Sequence, residues 1–209
     1  MHSSIVNNMT SIHPWNSKGL LEPISAPLAM NRAPYLITAL QLVERFGHTP
    51  ERRAILRGYF DYRNALRGLG ITTGFQWIDG SFVEEIEVTG PRAPRDIDVV
   101  TFYELPDGET QKTILAKAPE YFPVTDAEKQ TLKNRFGVDT MMSCLNVSAT
   151  RLIKQAVFFY SVWSHRRDYT WKGFVQIDLN ENQDAVAVAK LDELDAQVVR
   201  AVLEHKNEI

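Results

Sequence analysis

Sulfur is scarce in this chain: Cys144 is the single cysteine among 209 residues and has no partner for an intrachain disulfide. A disulfide framework and a Cys-ligated zinc centre are both excluded, and a reducing, cytoplasmic setting is the expectation. Long apolar runs are missing too, and none approaches the roughly 20 residues of a membrane span. The opening stretch MHSSIVNNMTSIHPW has no basic start and no extended apolar segment, so no targeting signal is expected there. Charge of one sign is equally absent. The 23 basic and 26 acidic side chains leave a net charge of −3, which excludes a protein that works by bulk electrostatic coating of nucleic acid. No internal repeat, low-complexity tract, Ser-His-Asp or Cys-His signature is present. The five histidines (His2, His13, His48, His165 and His205) are too scattered to form a metal motif.

What remains is a composition of 44% apolar and 23% charged residues, that of an ordinary globular domain. A chain of this size buries about 70% of the surface it exposes when unfolded, enough for a core without metal or disulfide staples. Residues 1–30 are rich in Ser, Asn and Pro without a sustained period and read as an arm. Residues 31–209 read as a single domain with a C-terminal helical extension.

Along the domain, the apolar spacing from Ala33 to Phe46 predicts a short helix, and Thr49-Pro50 supplies the N-cap and first position of the next. In that second helix Ile55, Tyr59, Tyr62, Leu66 and Leu69 form one stripe, read as core. The basic cluster Arg52, Arg53, Arg57, Arg63 and Arg67 reads as its solvated face. Phe75–Ile78 predicts a strand entering a tight turn at Gly80-Ser81, and Asp96–Tyr103 predicts a second strand. Thr125 and Glu128 have capping-box spacing for a helix that stops at Gly137, and Val138–Leu145 predicts a third strand. Ser148 caps an apolar helix through Trp163, followed by a strand over Gly173–Leu179. Asp192 to Glu204 reads as helix, whereas Asp184–Lys190 fits either period.

The chemistry concentrates at Asp96 and Asp98, which period two places on one face of a predicted strand. Two like charges so close are costly unless something positive compensates, and a hard divalent cation does so while leaving positions for phosphates. Gly80-Ser81 offers free backbone N–H groups and a hydroxyl to phosphate oxygens. Asp139 supplies a third carboxylate if its strand lies beside the Asp96-Ile-Asp98 strand, and Asp178 is a rival for that place. Arg92 and Arg95 precede the acids, placed either to meet phosphates or to stay at a rim. Tyr169 and Trp171, beside Arg166, Arg167 and Lys172, form the one stretch where aromatic and basic residues interleave as a single-stranded nucleic-acid contact requires.

Together, the strings Trp77-Ile-Asp-Gly-Ser-Phe82 and Pro94-Arg-Asp-Ile-Asp-Val-Val100, with the later Asp139, resemble the polymerase-β-like nucleotidyltransferase superfamily. They resemble more narrowly a group of small bacterial nucleotidyltransferase-like proteins. The resemblance runs from about Arg32 to Leu179 and takes in the Phe136–Asp139 and Lys172–Val175 segments. It implies an α+β fold with a small mixed sheet flanked by helices, and transfer of a nucleoside monophosphate from an NTP to an acceptor hydroxyl. Asp96, Asp98 and Asp139 would be catalytic and hold Mg²⁺ or Mn²⁺, while Gly80, Ser81, Arg92, Arg95 and Lys172 would meet the nucleotide. The spacer from Ser81 to Asp96 is longer than in compact members, which puts convergence of turn and acids in question. The acceptors implied are an RNA 3′ end, a protein or an oligonucleotide. The setting implied is a toxin–antitoxin or antiviral defence system with an operon-encoded protein partner and no membrane. The alternatives are a non-catalytic nucleotide-binding or partner-regulating module of the same fold, and a metal-dependent nuclease using the same carboxylates.

Overall fold

Local chemistry sets most of the element boundaries in the computed structural model, which describes residues 12–180 and 183–207. His2 and the side chain of His205 lie outside that range. Pro34 disfavours helix at Ala33, and the helix expected from there begins later. Tyr35–Leu36 (β1) is instead a short strand, and a Thr38–Gln41 capping box starts α1 at Ala39–Phe46. Thr49 caps α2 (Pro50–Gly68) with Pro50 in its first turn, as expected. Strand β2 (Gly74–Asp79) leads through a 3-10 turn (Gly80–Val83) into the single-turn α3 (Ile86–Thr89), and β3 follows at Ile97–Tyr103. Helix α4 (Gln111–Lys117), too short to carry a period, had no counterpart in the sequence expectations. Thr125 and Glu128 cap α5 (Asp126–Phe136), which Gly137 ends in the left-handed conformation. Strand β4 (Val138–Cys144), α6 (Ala149–Trp163, capped by Ser148) and β5 (Val175–Asp178) complete the expected order. The ambiguous Asp184–Lys190 is the start of one long helix, α7 (Asp184–Asn207).

The architecture is α+β. Its mixed five-stranded sheet has the order β1-β5-β2-β3-β4, with β1 parallel to β5, β2 antiparallel to β5 and β3, and β3 parallel to β4. On one face, α2 docks through Tyr59 onto Gln76 and through Tyr62 onto Thr140. On the other, α6 covers Phe102 with Phe159, while its Trp163 packs on Phe174. The core stripe of α2 is buried as expected, but its basic face is not solvated: Arg52, Arg53 and Arg63 are all buried. Arg63 donates to Gln76, to the Asp178 carbonyl and to Asp184, while Arg53 and Arg57 meet Asp195. These pairs pin α7 along α2, a non-local role that charge spacing cannot reveal.

In the described part of the arm, Leu20 and Leu21 are buried, and Trp15 Nε1 donates to the Val83 carbonyl. Among the described residues, no helix is long and apolar enough to cross a membrane. Cys144, Trp77 and Trp163 are buried, in keeping with core roles.

Candidate functional site at the end of the sheet

Residues opposite one another across a strand ladder share a face of the sheet. Antiparallel pairing sets Asp79 of β2 opposite Asp98 of β3, and parallel pairing sets Asp98 beside Asp139 of β4. The three carboxylates therefore stand in a row across three strands, with Asp96 two residues before Asp98 on the same face. Asp178 shares that face but pairs with Phe75, four positions along β2 from Asp79 and so roughly 13 Å away. The rival for the third carboxylate is thereby placed at the opposite end of the sheet, where it accepts from Gln176.

The long spacer does not separate the turn from the acids. Gly80 leaves β2 at φ +82, and a Cβ there would lie 1.7 Å from Asp98 Oδ2. Glycine is required twice over, by backbone conformation and by this approach. Ser81 follows at the margin of the same cleft. Behind the turn, buried Arg52 donates to the carbonyls of Phe82 and Glu84, each at 2.6 Å, and grips the Glu87 carboxylate with two further bonds. The arm contributes Trp15, against which Arg52 also lies.

Two lysines reach into the row. Lys172 is buried, with its Nζ 3.0 Å from Asp79 Oδ1, 3.0 Å from Glu84 Oε1 and 3.2 Å from the Gly80 carbonyl. Burial opposes its charge, but Asp79 and Glu84 outweigh burial and its pKa is raised. Its ammonium is thus already engaged by acids, so its direct effect is to hold the turn against β2. Lys133 of α5 pairs with Asp96 and stands 3.8 Å from Asp139 Oδ2. Asp98, at the centre, accepts no hydrogen bond from a described side chain. Burial, followed by the charges of Asp79, Asp96 and Asp139, pushes its carboxyl up to about 7. Burial likewise lifts Asp79 to about 6 despite Lys172.

Above the acids opens a cleft of about 780 Å³ whose rim carries Arg92, Arg95, His165, Arg166 and Arg167. Arg166 Nε is 3.7 Å from Glu84 Oε2. Arg92, Arg95 and Arg167 form no ion pair among the described residues, although the floor beneath them is acidic. Unpaired guanidinium groups at the mouth of a cleft are suited to phosphate. The predicted residues Gly80, Ser81, Arg92, Arg95, Asp96, Asp98, Asp139 and Lys172 all line this one cleft.

Sequence reasoning missed Asp79, Glu84, Lys133 and Arg52. Asp79 carried a signal, since it ends a strand immediately before the glycine turn. Lys133 and Arg52 carried none, because each sits among other charged residues on a polar helix.

A divalent cation fits the donor chemistry: hard carboxylate oxygens, crowded and short of positive charge around Asp98. Asp98 and Asp139 are the groups open to it, because Asp96 is held by Lys133 and Asp79 by Lys172. Among the described residues, no three His, Cys, Asp or Glu groups meet as a ready-made ligand set.

No curated protein and no solved structure matches the chain. A protein-family description does match residues 13–178, a span that includes every strand and the whole acidic row. Covering most of the sequence, that match shows that the chain belongs to the family described as a family of unknown function, DUF6932.

Proposed function

We propose that the protein is a metal-dependent nucleotidyltransferase with a polymerase-β-like fold, moving a nucleoside monophosphate from an NTP to an acceptor hydroxyl. The observation that carries this reading is the acidic row of β2, β3 and β4, set against a glycine-serine turn and beneath a rim of unpaired arginines. Acid below and base above form the two halves of a phosphate-and-cation site.

Asp98 and Asp139 would hold Mg²⁺ or Mn²⁺, with Asp96 joining once Lys133 releases it. Such an ion neutralises phosphate charge and acidifies a nearby hydroxyl. Arg92, Arg95 and Arg167 draw the triphosphate to the rim. The Gly80-Ser81 turn, braced by Arg52 and Lys172, presents its N–H and hydroxyl groups in a fixed position. Asp139, the more exposed member of the row with its side chain 36% accessible, takes the proton of the attacking hydroxyl. The acceptor oxygen forms a bond to the α-phosphorus as the bond to the bridging oxygen breaks, and pyrophosphate leaves. Positioning and electrostatics supply the catalysis, so no nucleophilic side chain is required.

The test is pyrophosphate release from each labelled NTP with Mg²⁺ or Mn²⁺, with and without cellular RNA and protein. Wild type releases pyrophosphate, and Asp98→Asn or Asp139→Asn lowers the rate by about 100-fold or more with the fold intact. One observation favours a second reading: Lys133 and Lys172 already neutralise part of the row, as in a nucleotide-binding module without turnover. NTP binding with no pyrophosphate under any of these conditions selects that module. Shortening of RNA, with no label gained, selects a nuclease.

A further inference from the structure

The segment joining α6 to β5 is a tightly laced hairpin. His165 bridges Trp171, Arg166 N donates to the Thr170 carbonyl at 2.8 Å, Tyr169 N to the Arg166 carbonyl at 2.9 Å, and Lys172 N to the Ser164 carbonyl at 2.9 Å. The Asp168 carboxylate caps Thr170 N at 3.0 Å. Despite this bonding, the hairpin turns its two large rings outward: Tyr169 is 78% exposed and Trp171 63%. Tyr169 also adopts φ +63, the one non-glycine positive φ among the described residues. A bulky side chain takes that conformation only where the surroundings hold it.

His165, Arg166, Arg167, Asp168 and Lys172 of this hairpin line the cleft, whereas Tyr169 and Trp171 do not. Mainly basic groups thus face the reaction site, with Asp168 among them, while two aromatic faces stand just outside it. Core packing accounts for Trp77 and Trp163 but for neither of these rings.

We propose that this hairpin is the docking platform for single-stranded nucleic acid. Its unpaired bases stack on Tyr169 and Trp171, while its phosphates meet Arg167 and the neighbouring rim arginines. A ring face stacks only a base that is free of its partner, so the ligand is single-stranded. Because the rings lie outside the cleft lining, the bases they hold belong to nucleotides adjacent to the reacting one, which calls for an oligomer. With a net charge of −3 and three rim arginines without an ion pair among the described residues, the footprint is two or three nucleotides. Naming the strand as the acceptor rests on the nucleotidyl-transfer reading, but its binding does not.

The experiment is fluorescence anisotropy of fluorescein-labelled pentanucleotides, RNA and DNA, against the full chain, with a duplex of the same sequence as control. Single strands bind and the duplex does not, and affinity falls with salt at a log–log slope of about −2. Tyr169→Ala with Trp171→Ala weakens binding at least about tenfold, whereas Tyr169→Phe with Trp171→Phe keeps it within about threefold. Failure of wild type to bind single strands, or equal binding by the double-alanine variant, overturns the proposal. Pyrophosphate release without strand binding sinks this inference alone. Strand binding without pyrophosphate release upholds the platform and sinks the transferase reading.

Discussion

Asp98 is the residue on which the site's electrostatics turn. It faces Asp79, Asp96 and Asp139 along the row, and the cations within reach are Lys133 from α5 and Lys172 from the hairpin. Its carboxyl is pushed up to about 7, whereas an aspartate in the unfolded chain titrates near ~3.9. The folded state therefore keeps a proton that the unfolded chain gives up. That contribution to stability is complete below about pH 4 and is lost as pH rises through about 7. Asp98→Asn keeps the shape and cannot ionise. Melting curves of the two proteins should nearly coincide at the acid end and separate towards pH 8, with the variant more stable by about 1–3 kcal/mol. Identical pH dependence in the two would show that Asp98 carries no such strain. Asp96, Asp98 and Asp139 were legible in the sequence because strand period and turn chemistry are local, whereas Asp79 was missed. The charge state of Asp98 was not, because Asp79 and Asp139 reach it only through strand pairing.

Helix α2 shows the same limit at the scale of an element. Its N-cap at Thr49, its Pro50 start and its Ile55, Tyr59, Tyr62 and Leu66 stripe follow from neighbours in the chain. Its arginines do not: Arg63 finds Asp184 at a separation of 121 residues, and Arg53 finds Asp195 at 142. Strand β1 was misread as helix, and the start of α7 stayed open between helix and strand, for a related reason: β1 exists through pairing with β5, and α7 begins where Arg63 and Arg67 hold Asp184. Burial decides what each of these pairs contributes. Arg63→Ala removes the buried donor shared by Gln76, Asp184 and the Asp178 carbonyl, leaving Gln76 to Tyr59 and Asp184 to the more exposed Arg67, and should cost about 3–5 kcal/mol. Arg57→Ala removes ion pairs whose arginine side chain is 36% accessible and should cost below about 1 kcal/mol. Urea unfolding midpoints at unchanged slope measure both. Similar losses in the two variants would mean that the buried network does not fasten α7 to the domain.

Over the whole molecule, a net charge of −3 conceals a strongly polarised cleft, with carboxylates on the sheet and arginines on the loops around it. The fold draws this arrangement from four regions: the β2 turn, β3 with its preceding loop, α5 with β4, and the hairpin before β5. Lys133 is the component that decides whether the floor behaves as a cation site. Its ammonium already pairs with Asp96 and stands near Asp139, so an incoming ion competes with it. Lys133→Met removes the competitor and leaves the carboxylates in place. The variant alone should melt below wild type, because Asp96 loses its partner. Added Mg²⁺ should then raise its melting temperature more than that of wild type. Since the ion binds only the folded row, a concentration ten times its Kd contributes about 1.4 kcal/mol, or roughly 3–6 °C for a domain of this size. Thermal melts of both proteins across a Mg²⁺ series, with Asp98→Asn in the Lys133→Met background as control, carry the comparison. A Mg²⁺ response in Lys133→Met that the control lacks ties the ion to the acidic row. If neither protein responds, the row exists to receive lysines and the metal-dependent reading fails.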